Sequence, residues 1–566
     1  MMVMAINQDR MSVSRYIAEE LYKLEVFHIF GYQGANITYM IDAISAHPGL
    51  QYVQTSHEQG AAFAANGYAQ ASGIIGAAVT SGGPGALNLV TGIANAYCDS
   101  IPTLFICGDL SRRYKKNTLP LRQDGFQSAD IVSVVDTITK YSVQIESPDD
   151  VRYCLERAVF EATSGRRGPV LISIPHWIQR TKIDPSCQRG FISDEPEIIS
   201  QAGPITVAVL NILAQSHRPL VLLGGGCANP ETRSVLPKFL TRNSLPAVAS
   251  LCGLGAISHD HSSYVGFIGD YGHRHANLAL AASDCLIVLG SRMDERQVGF
   301  LKDNLQSKTI IHVDIDPSEL HCQSDHYLPV LGEVNDFLNA FDLVSLDQLS
   351  LSKWTNNLLQ LKNKYPVHQL TQEFSASSFL SRFFDLLAAD AQVYVDVGLH
   401  QMCTAQFGVL TKGKQLYWSG GLGSMGYALP ASIGGHLAKP VRQTICIAGD
   451  GGLMMSIAEL QTITRDNLDV KIIVMNNYCL GMVRNHQRGA LNDRTIGSVE
   501  GYLAGDFNKI AQAFNLDFFR IENQSEVEML EKILSTKGPA LIEVVFPNEM
   551  MPFPASVDYP LYGEAF

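Results

Sequence analysis

The chain has no run rich in lysine and arginine. Its nearest approach is Arg112–Lys116, and 42 basic against 55 acidic residues leave a net charge of −13. Nucleic acid and anionic membrane surfaces are therefore poor partners. No uncharged apolar stretch reaches the roughly 18–20 residues that span a bilayer, and Met1–Ser14 lacks the apolar segment of a signal peptide. The 11 cysteines include no Cys-x-x-Cys pair, which argues against a zinc ribbon or a disulfide framework. No repeat of solenoid period is present. What is there is a chain of 566 residues, 46% hydrophobic, 17% charged and 8% aromatic, so it is neither disordered nor of low complexity. At about 150 residues per domain this length suggests three or four domains. The sequence reads as a soluble cytoplasmic protein and as an enzyme.

Short apolar runs alternate with helical segments throughout, the pattern of an α/β chain with parallel sheets covered by helices. Gly73–Thr80, Thr103–Gly108 and Val170–Pro175 read as strands of a first region. The polar stretch Lys182–Gln201 reads as a linker, and a second α/β region begins near Pro204, with strands at Leu220–Leu223, Cys285–Leu289 and Ile310–Val313. Sequence of low hydrophobicity from Ser345 to Leu370 leads to a third region with strands at Val393–Val395, Thr444–Ala448 and Lys471–Met475. Three doubly wound parallel-sheet domains are expected, over residues 1–181, 182–345 and 346–566.

The most informative segment runs from Ile445 to Val483. One buried strand ends at Gly449-Asp450-Gly451 and another at Asn476-Asn477, with 24 residues (452–475) between Gly451 and Asn476. That is room for one helix and a returning strand, which sets the carboxyl ends of two strands side by side, where open α/β sheets bind ligands. Asp450 and Asn477 supply hard oxygen donors suited to Mg²⁺, and the flanking glycines let a diphosphate approach the backbone. Either half alone is an ordinary turn sequence; the information lies in the pair at this spacing.

This pair resembles the thiamin-diphosphate signature. The resemblance extends over nearly the whole chain to the flavin-containing acetohydroxyacid (acetolactate) synthase group. In the first region it is carried by His57–Gly73, Thr80–Pro102 and Gly125–Asp130, with one extra glycine in the usual SGPG. In the second it is carried by Leu222–Cys227, Leu289–Arg296 and His312–Pro317, and in the third by Asp396–Met402 and Ser419–Gly434. The resemblance implies pyrimidine-binding, central FAD-binding and diphosphate-binding domains in that order.

It also implies roles. Glu58 would exchange a proton with the aminopyrimidine ring, its pKa raised by burial. Phe126 and Gln127 would line the substrate side. Met425 would wedge beneath the cofactor, although a plain core methionine has the same geometry. Thiamin diphosphate would be held by Tyr32, Val397, Gly398, Leu399, His400, Gly423, Met425, Gly449, Asp450, Gly451, Gly452, Asn477, Met482 and Val483. Mg²⁺ would sit on Asp450, Asn477 and the carbonyl of Cys479. FAD, largely structural, would lie against Arg166, Gly224, Gly225, Gly226, Arg292 and Asp314, although Gly-Gly-Gly-Cys is a weak dinucleotide signal. A homo-oligomer, dimer or tetramer, with active sites at the subunit interface is expected.

The departures from this family cluster at positions that shape its acceptor pocket. His486 stands for the tryptophan of MVRQWQ, His176 for the lysine of IPKDVQ, Asp270 for a methionine of GMHG, and Gly108-Asp109-Leu110 for GQV. Phe30–Ala35 replaces FGYPGG. Losing a cation beside a second 2-oxo acid carboxylate costs on the order of 1–3 kcal/mol of binding. Asp270, Asp109 and His486 suit a neutral, hydroxyl-rich acceptor. The expectation is a carboligase that decarboxylates pyruvate and transfers its acetyl unit to a ketone such as a nucleotide-linked 4-keto-deoxysugar. Drift among isoenzymes would explain the same changes, and leaves ordinary acetolactate synthase as the alternative. A pyruvate oxidase-type flavoenzyme and a non-catalytic relative are further readings.

Overall fold

Apolar runs in this sequence end in glycine, and in the computed structural model those runs are the strands of three six-stranded sheets, every strand pair parallel. Residues 10–109, 122–123, 125–193, 200–299, 302–321, 324, 326–342, 351–367, 374–411 and 413–546 are described. The basic segment Arg112–Lys116, Leu110 and parts of both expected linkers lie outside them.

The first sheet has the order Gln51–Gln54, His28–Tyr32, Gly76–Thr80, Thr103–Asp109, Pro169–Pro175, Tyr141–Gln144. The central sheet runs Tyr264–Phe267, Ala247–Ala249, Pro219–Leu223, Cys285–Leu289, Thr309–Asp314, His326–Leu331. The third runs Gln415–Trp418, Gln392–Val395, Thr444–Gly449, Val470–Asn476, Ala540–Val545, Asp517–Ile521. In each, the chain first builds outward on one side, then returns and builds on the other. Each sheet therefore has one place where two neighbouring strands send their following loops apart, and that place opens a crevice at the carboxyl ends.

Two expectations about boundaries are corrected. Lys182–Ile183 is not free linker: it pairs antiparallel with Met11–Ser12, and Ile183 is buried in the first domain's core. Helix Ser352–Lys364 falls within the low-hydrophobicity stretch expected to lead into the third region, yet it packs on the central sheet. Its Trp354, Leu358 and Leu361 lie in that sheet's outer core, and the Trp354 indole N–H donates to Pro219 O at 2.9 Å.

The first and third domains share one apolar core, formed where helix Glu58–Ser72 crosses helix Ala428–Ala438. The crossing is backbone on backbone. A Cβ on Gly67 would stand 2.1 Å from Ala431 O, and one on Gly434 would stand 1.8 Å from Ala64 O. Only glycine permits this approach, and Phe63 and Tyr427 seal its edge with rings 5.3 Å apart. Gly434→Val puts three carbons where a carbonyl oxygen sits. Overpacking of this kind costs about 1–3 kcal/mol or more, so the urea midpoint should fall; an unchanged midpoint would mean that the helices are not locked at this crossing.

Candidate active site

The crevice of the third sheet opens between the ends of Gln392–Val395 and Thr444–Gly449, and an open cleft lies there. Gly449 leads directly into the short helix Asp450–Met455. The glycines around it are required by close neighbours: a Cβ on Gly449 would meet His400 Nδ1 at 2.9 Å, one on Gly451 Leu480 Cδ2 at 2.5 Å, and one on Gly452 Asp396 Oδ2 at 2.7 Å. Asp450 is 2% exposed, and its Oδ2 has no hydrogen-bond partner. Burial pushes its carboxyl up to about 6, against the N–H of Gly451, which favours the charged form.

Opposite, strand Val470–Asn476 ends in Asn476-Asn477. Asn477 is buried and its Nδ2 is likewise without a partner. Two buried polar groups left open on one cleft are what a bound ion or diphosphate would satisfy. The donors are a carboxylate, an amide oxygen and the carbonyl of Cys479, oxygen ligands that fit Mg²⁺ and its preference for hard donors. Among the described residues no group of three or more His, Cys, Asp or Glu side chains forms a metal centre elsewhere.

The floor is set by Asp396, 1% exposed, which accepts from the backbone N–H of Val397 at 2.7 Å and of Gly426 at 2.9 Å. Gly426 has φ +80° and follows Met425. On the other side, Ser424 N–H donates to Ser419 Oγ at 2.8 Å, and Ser419 Oγ to Asn95 Oδ1. Asp99 accepts from Gly420 and Gly421 N–H at 3.1 and 2.6 Å. Met425 is thus held from both sides on the cleft wall.

Of the fourteen residues expected around thiamin diphosphate, twelve line this cleft: Val397–His400, Met425, Gly449–Gly452, Asn477, Met482 and Val483. Cys479, Leu480 and Gly481 complete the wall. Tyr32 and Gly423 do not line it. Nor do Glu58, Phe126 and Gln127, which form a second group on the first domain. There Glu58 accepts from Asn88 Nδ2 at 3.0 Å, and a Cβ on Gly85 would stand 3.1 Å from Glu58 Oε1. Gln127 has φ +60° and its carbonyl lies over Gly83. Phe126 is 82% exposed and Glu58 only half-buried, so the enclosing pocket expected for Glu58 is absent within one chain.

The central crevice brings Gly224–Gly226 against the loop carrying Arg292: Gly226 N–H donates to Gly290 O at 3.0 Å, and a Cβ on Gly224 would meet that oxygen at 2.0 Å. Arg292 is partly exposed beside Asp294 at 3.8 Å. Arg166 differs from expectation. Its guanidinium is engaged by Asp316 at 2.9 Å and Glu319 at 2.7 Å, so in this structure it ties the first domain to the central one rather than facing the glycines. Asp314 is buried and accepts from Asp316 N–H at 3.0 Å, which turns its carboxyl to its own loop.

The four acceptor-pocket positions fall into two groups rather than one pocket. The His176 ring packs tilted against Tyr39, centroids 5.0 Å apart, and Asp109, in register with Pro175, takes a hydrogen bond from Gln144. Asp270 belongs to a loop that reaches the cleft: Tyr271 OH lies 3.2 Å from Met482 Sδ, and burial raises the Asp270 carboxyl above the ordinary range. His486 is exposed on helix Gly481–Ala490, behind Met482 and Val483.

Sequence reasoning missed Asp396, Asp99 and Glu459. Glu459, 1% exposed, accepts from the N–H groups of Ser56 and His57, each at 3.1 Å, so the third domain grips the peptide just before Glu58. No local pattern marks an acid whose partners lie about four hundred residues away.

Two outcomes follow. Asp450→Ala should remove measurable binding of Mg²⁺ with thiamin diphosphate in a calorimetric titration, and unchanged affinity would sink the metal assignment. Asp396 rises on folding from about 3.9 to about 7 through burial. Such a group stabilises fully below its unfolded value, and that contribution is lost as pH rises through the folded one. The cofactor-free protein should therefore lose stability as pH rises from about 4 to about 7 and level off above that, and Asp396→Asn should flatten that slope in urea titrations.

Comparison with known proteins agrees with this architecture. Residues 11–134, 207–341 and 396–544 match the N-terminal TPP binding, central and C-terminal TPP binding domains of thiamine pyrophosphate enzymes. The chain is 34% identical over 539 residues to the acetolactate synthase isozyme 2 large subunit of Escherichia coli K12, covering 94% of this chain and 95% of that one. It is 32% identical to the acetolactate synthase large subunit of Lactococcus lactis, over 94% and 92%, and 32% identical to the chloroplastic acetolactate synthase 1 of Zea mays, over 94% and 85%. With three matched domains in their usual order and an acid–amide cleft where the third sheet divides, the chain belongs to the thiamine pyrophosphate enzymes of the acetolactate synthase family and forms carbon–carbon bonds.

Proposed function

We propose that the chain is an acetolactate synthase, joining two pyruvates with uptake of one proton to give 2-acetolactate and CO₂. The observation that carries this reading is likeness over 94% of the chain to relatives of that name, joined to the intact Asp450–Asn477 cleft. This reverses the order in which the sequence alone ranked the acceptors. Bound thiamin diphosphate supplies the nucleophilic carbon and accepts the electron pair left when CO₂ departs. Asp450, Asn477 and the Cys479 carbonyl would hold the metal, and the glycines would leave room for the diphosphate beside the backbone. Met425, on the cleft wall, would support the cofactor. Glu58 holds and moves a proton at the pyrimidine nitrogen, and Phe126 and Gln127 cover the donor pyruvate. FAD belongs at the central crevice, over Gly224–Gly226 and beside Arg292, where the redox-neutral balance asks no electrons of it.

This reading calls for a homo-oligomer. The Glu58 group and the Asp450 cleft are separate within one chain, and both are ringed by exposed apolar side chains: Tyr32, Leu87 and Phe126 on one, Leu422, Met455 and Val483 on the other. A second copy that laid one face on the other would bury these and complete both sites. Asp270, joined to the cleft wall through Tyr271 and Met482, favours a second reading in which a neutral ketone is the acceptor. A carboxylate there repels the carboxylate of a second 2-oxo acid.

Product analysis separates the two. With pyruvate alone the enzyme should form 2-acetolactate without bleaching of flavin absorbance under anaerobic conditions. Slow turnover that accelerates with a bulky ketone or nucleotide-linked ketosugar, and that His486→Trp shifts back to acetolactate, would establish the second reading instead. Glu58→Gln should lower the rate by about 10²–10⁴-fold. Mixing and refolding it with Asp450→Ala protein should restore part of the activity; full activity from a stable monomer would refute the shared site.

A further inference from the structure

The two proposed metal ligands Asn477 and Cys479 flank Tyr478, a bulky residue held in the left-handed region at φ +54°. Such a conformation persists only where surrounding contacts impose it. Here Tyr478 N–H donates to Asn476 Oδ1 at 2.9 Å, and Arg520 Nη2 donates to Tyr478 OH at 3.3 Å. Both partners converge on one buried acid of the neighbouring strand Ala540–Val545. Asn476 Nδ2 donates to Glu543 Oε1 at 2.7 Å, and Arg520 Nη1 donates to Glu543 Oε2 at 3.2 Å. Glu543 is 3% exposed, on the strand that lies between those carrying Asn476 and Arg520.

We propose that Glu543 is the positioning residue of the metal loop, acting through Asn476 and Arg520 to hold Tyr478 in the turn that presents Asn477 and the Cys479 carbonyl. The chemistry requires a carboxylate. An ionised carboxylate only accepts hydrogen bonds, so Asn476 must point its NH₂ at Glu543 and its oxygen at Tyr478 N–H. A glutamine at 543 has two choices. It can set its own NH₂ against the Arg520 cation, or let the Asn476 amide flip and put NH₂ against the Tyr478 N–H. Either breaks one link to the strained residue.

The inference rests on the metal assignment above, so the test includes Asp450→Ala. Mg²⁺ is titrated calorimetrically into each protein at a fixed concentration of thiamin diphosphate, and thermal melting of the cofactor-free forms is recorded alongside. Outer-shell partners of metal ligands typically contribute 10–100-fold in affinity. Glu543→Gln should therefore weaken Mg²⁺ about 10-fold while leaving the cofactor-free melting temperature close to that of wild type. Adding Tyr478→Asn should restore part of the affinity, since asparagine enters the left-handed region more readily. A Glu543→Gln protein that binds Mg²⁺ as wild type does, while Asp450→Ala does not, overturns the role of Glu543 alone. If Asp450→Ala also binds normally, the metal site falls and this inference with it. Should Glu543→Gln fail to fold, Arg520→Met is read in its place, and unaltered Mg²⁺ affinity there overturns the proposal equally.

Discussion

The crossing of helices Glu58–Ser72 and Ala428–Ala438 is the contact on which the rest of this molecule depends. It joins domains that the sequence separates by more than three hundred residues, and it does so at backbone distance, through Gly67 and Gly434. Once the helices meet, Glu459 reaches the N–H groups of Ser56 and His57, while Ser56 Oγ donates to Ala458 O at 2.8 Å. The same closeness explains Gly60, where a Cβ would stand 2.1 Å from Glu459 Oε1. Third-domain residues thus set where the first domain's Glu58–Ser72 helix begins.

One topological device serves three sheets. In each the strands wind outward in both directions from a central pair, and the loops that diverge from that pair carry the chain's most informative sequence. In the third sheet these are Asp396–Gly398 and Gly449–Gly452, in the central sheet Gly224–Gly226 and Gly290–Arg292, and in the first the loops after Tyr32 and Thr80. Glycine recurs at all three because two backbones must pass each other there. Gly34 lies against Ser81, and Gly224 against Gly290. The chemistry differs only in which polar side chains stand at the rim.

Much of this was legible in the sequence, and for a physical reason. Buried parallel strands read as continuous apolar runs, so Cys285–Leu289 came out to the residue and Leu220–Leu223 within one. The spacing from Asp450 to Asn477 is local, spanning two short helices (Asp450–Met455 and Leu460–Arg465) where the sequence suggested one, and a single strand, which is why the cleft could be assembled from a string of letters. What stayed hidden is what depends on distant partners. Arg166 could not be assigned to Asp316 and Glu319 before the first two domains were docked. Asp396, Asp99 and Glu459 look like any other acid until burial and backbone N–H groups surround them. Trp354 sits in polar sequence and became core only because helix Ser352–Lys364 folds back on the central sheet. The four acceptor positions were grouped by family likeness, and the structure divides them between the two faces.

That division is itself informative. The Asp450 cleft has its floor, its open acid–amide pair and one wall from a single chain, with each of its lining glycines filled against by a neighbour. The Glu58 group has the opposite character: an acid bonded to Asn88, a phenylalanine almost wholly in solvent and a glutamine in a left-handed turn, with no wall before them. A chain that buries Asp450 to the point of raising its pKa towards neutrality does not need to leave an aromatic residue of the same reaction in water. The asymmetry is explained if the two halves belong to two different active sites. The intrachain helix crossing then acquires a second consequence. Because Glu459 lies just beyond the Asp450–Met455 helix and grips the peptide before Glu58, the Asp450 loop is mechanically joined to the helix that carries Glu58. Any shift of the Asp450 helix on cofactor binding would be felt at Ser56 and His57, through two hydrogen bonds and a glycine with no room to yield.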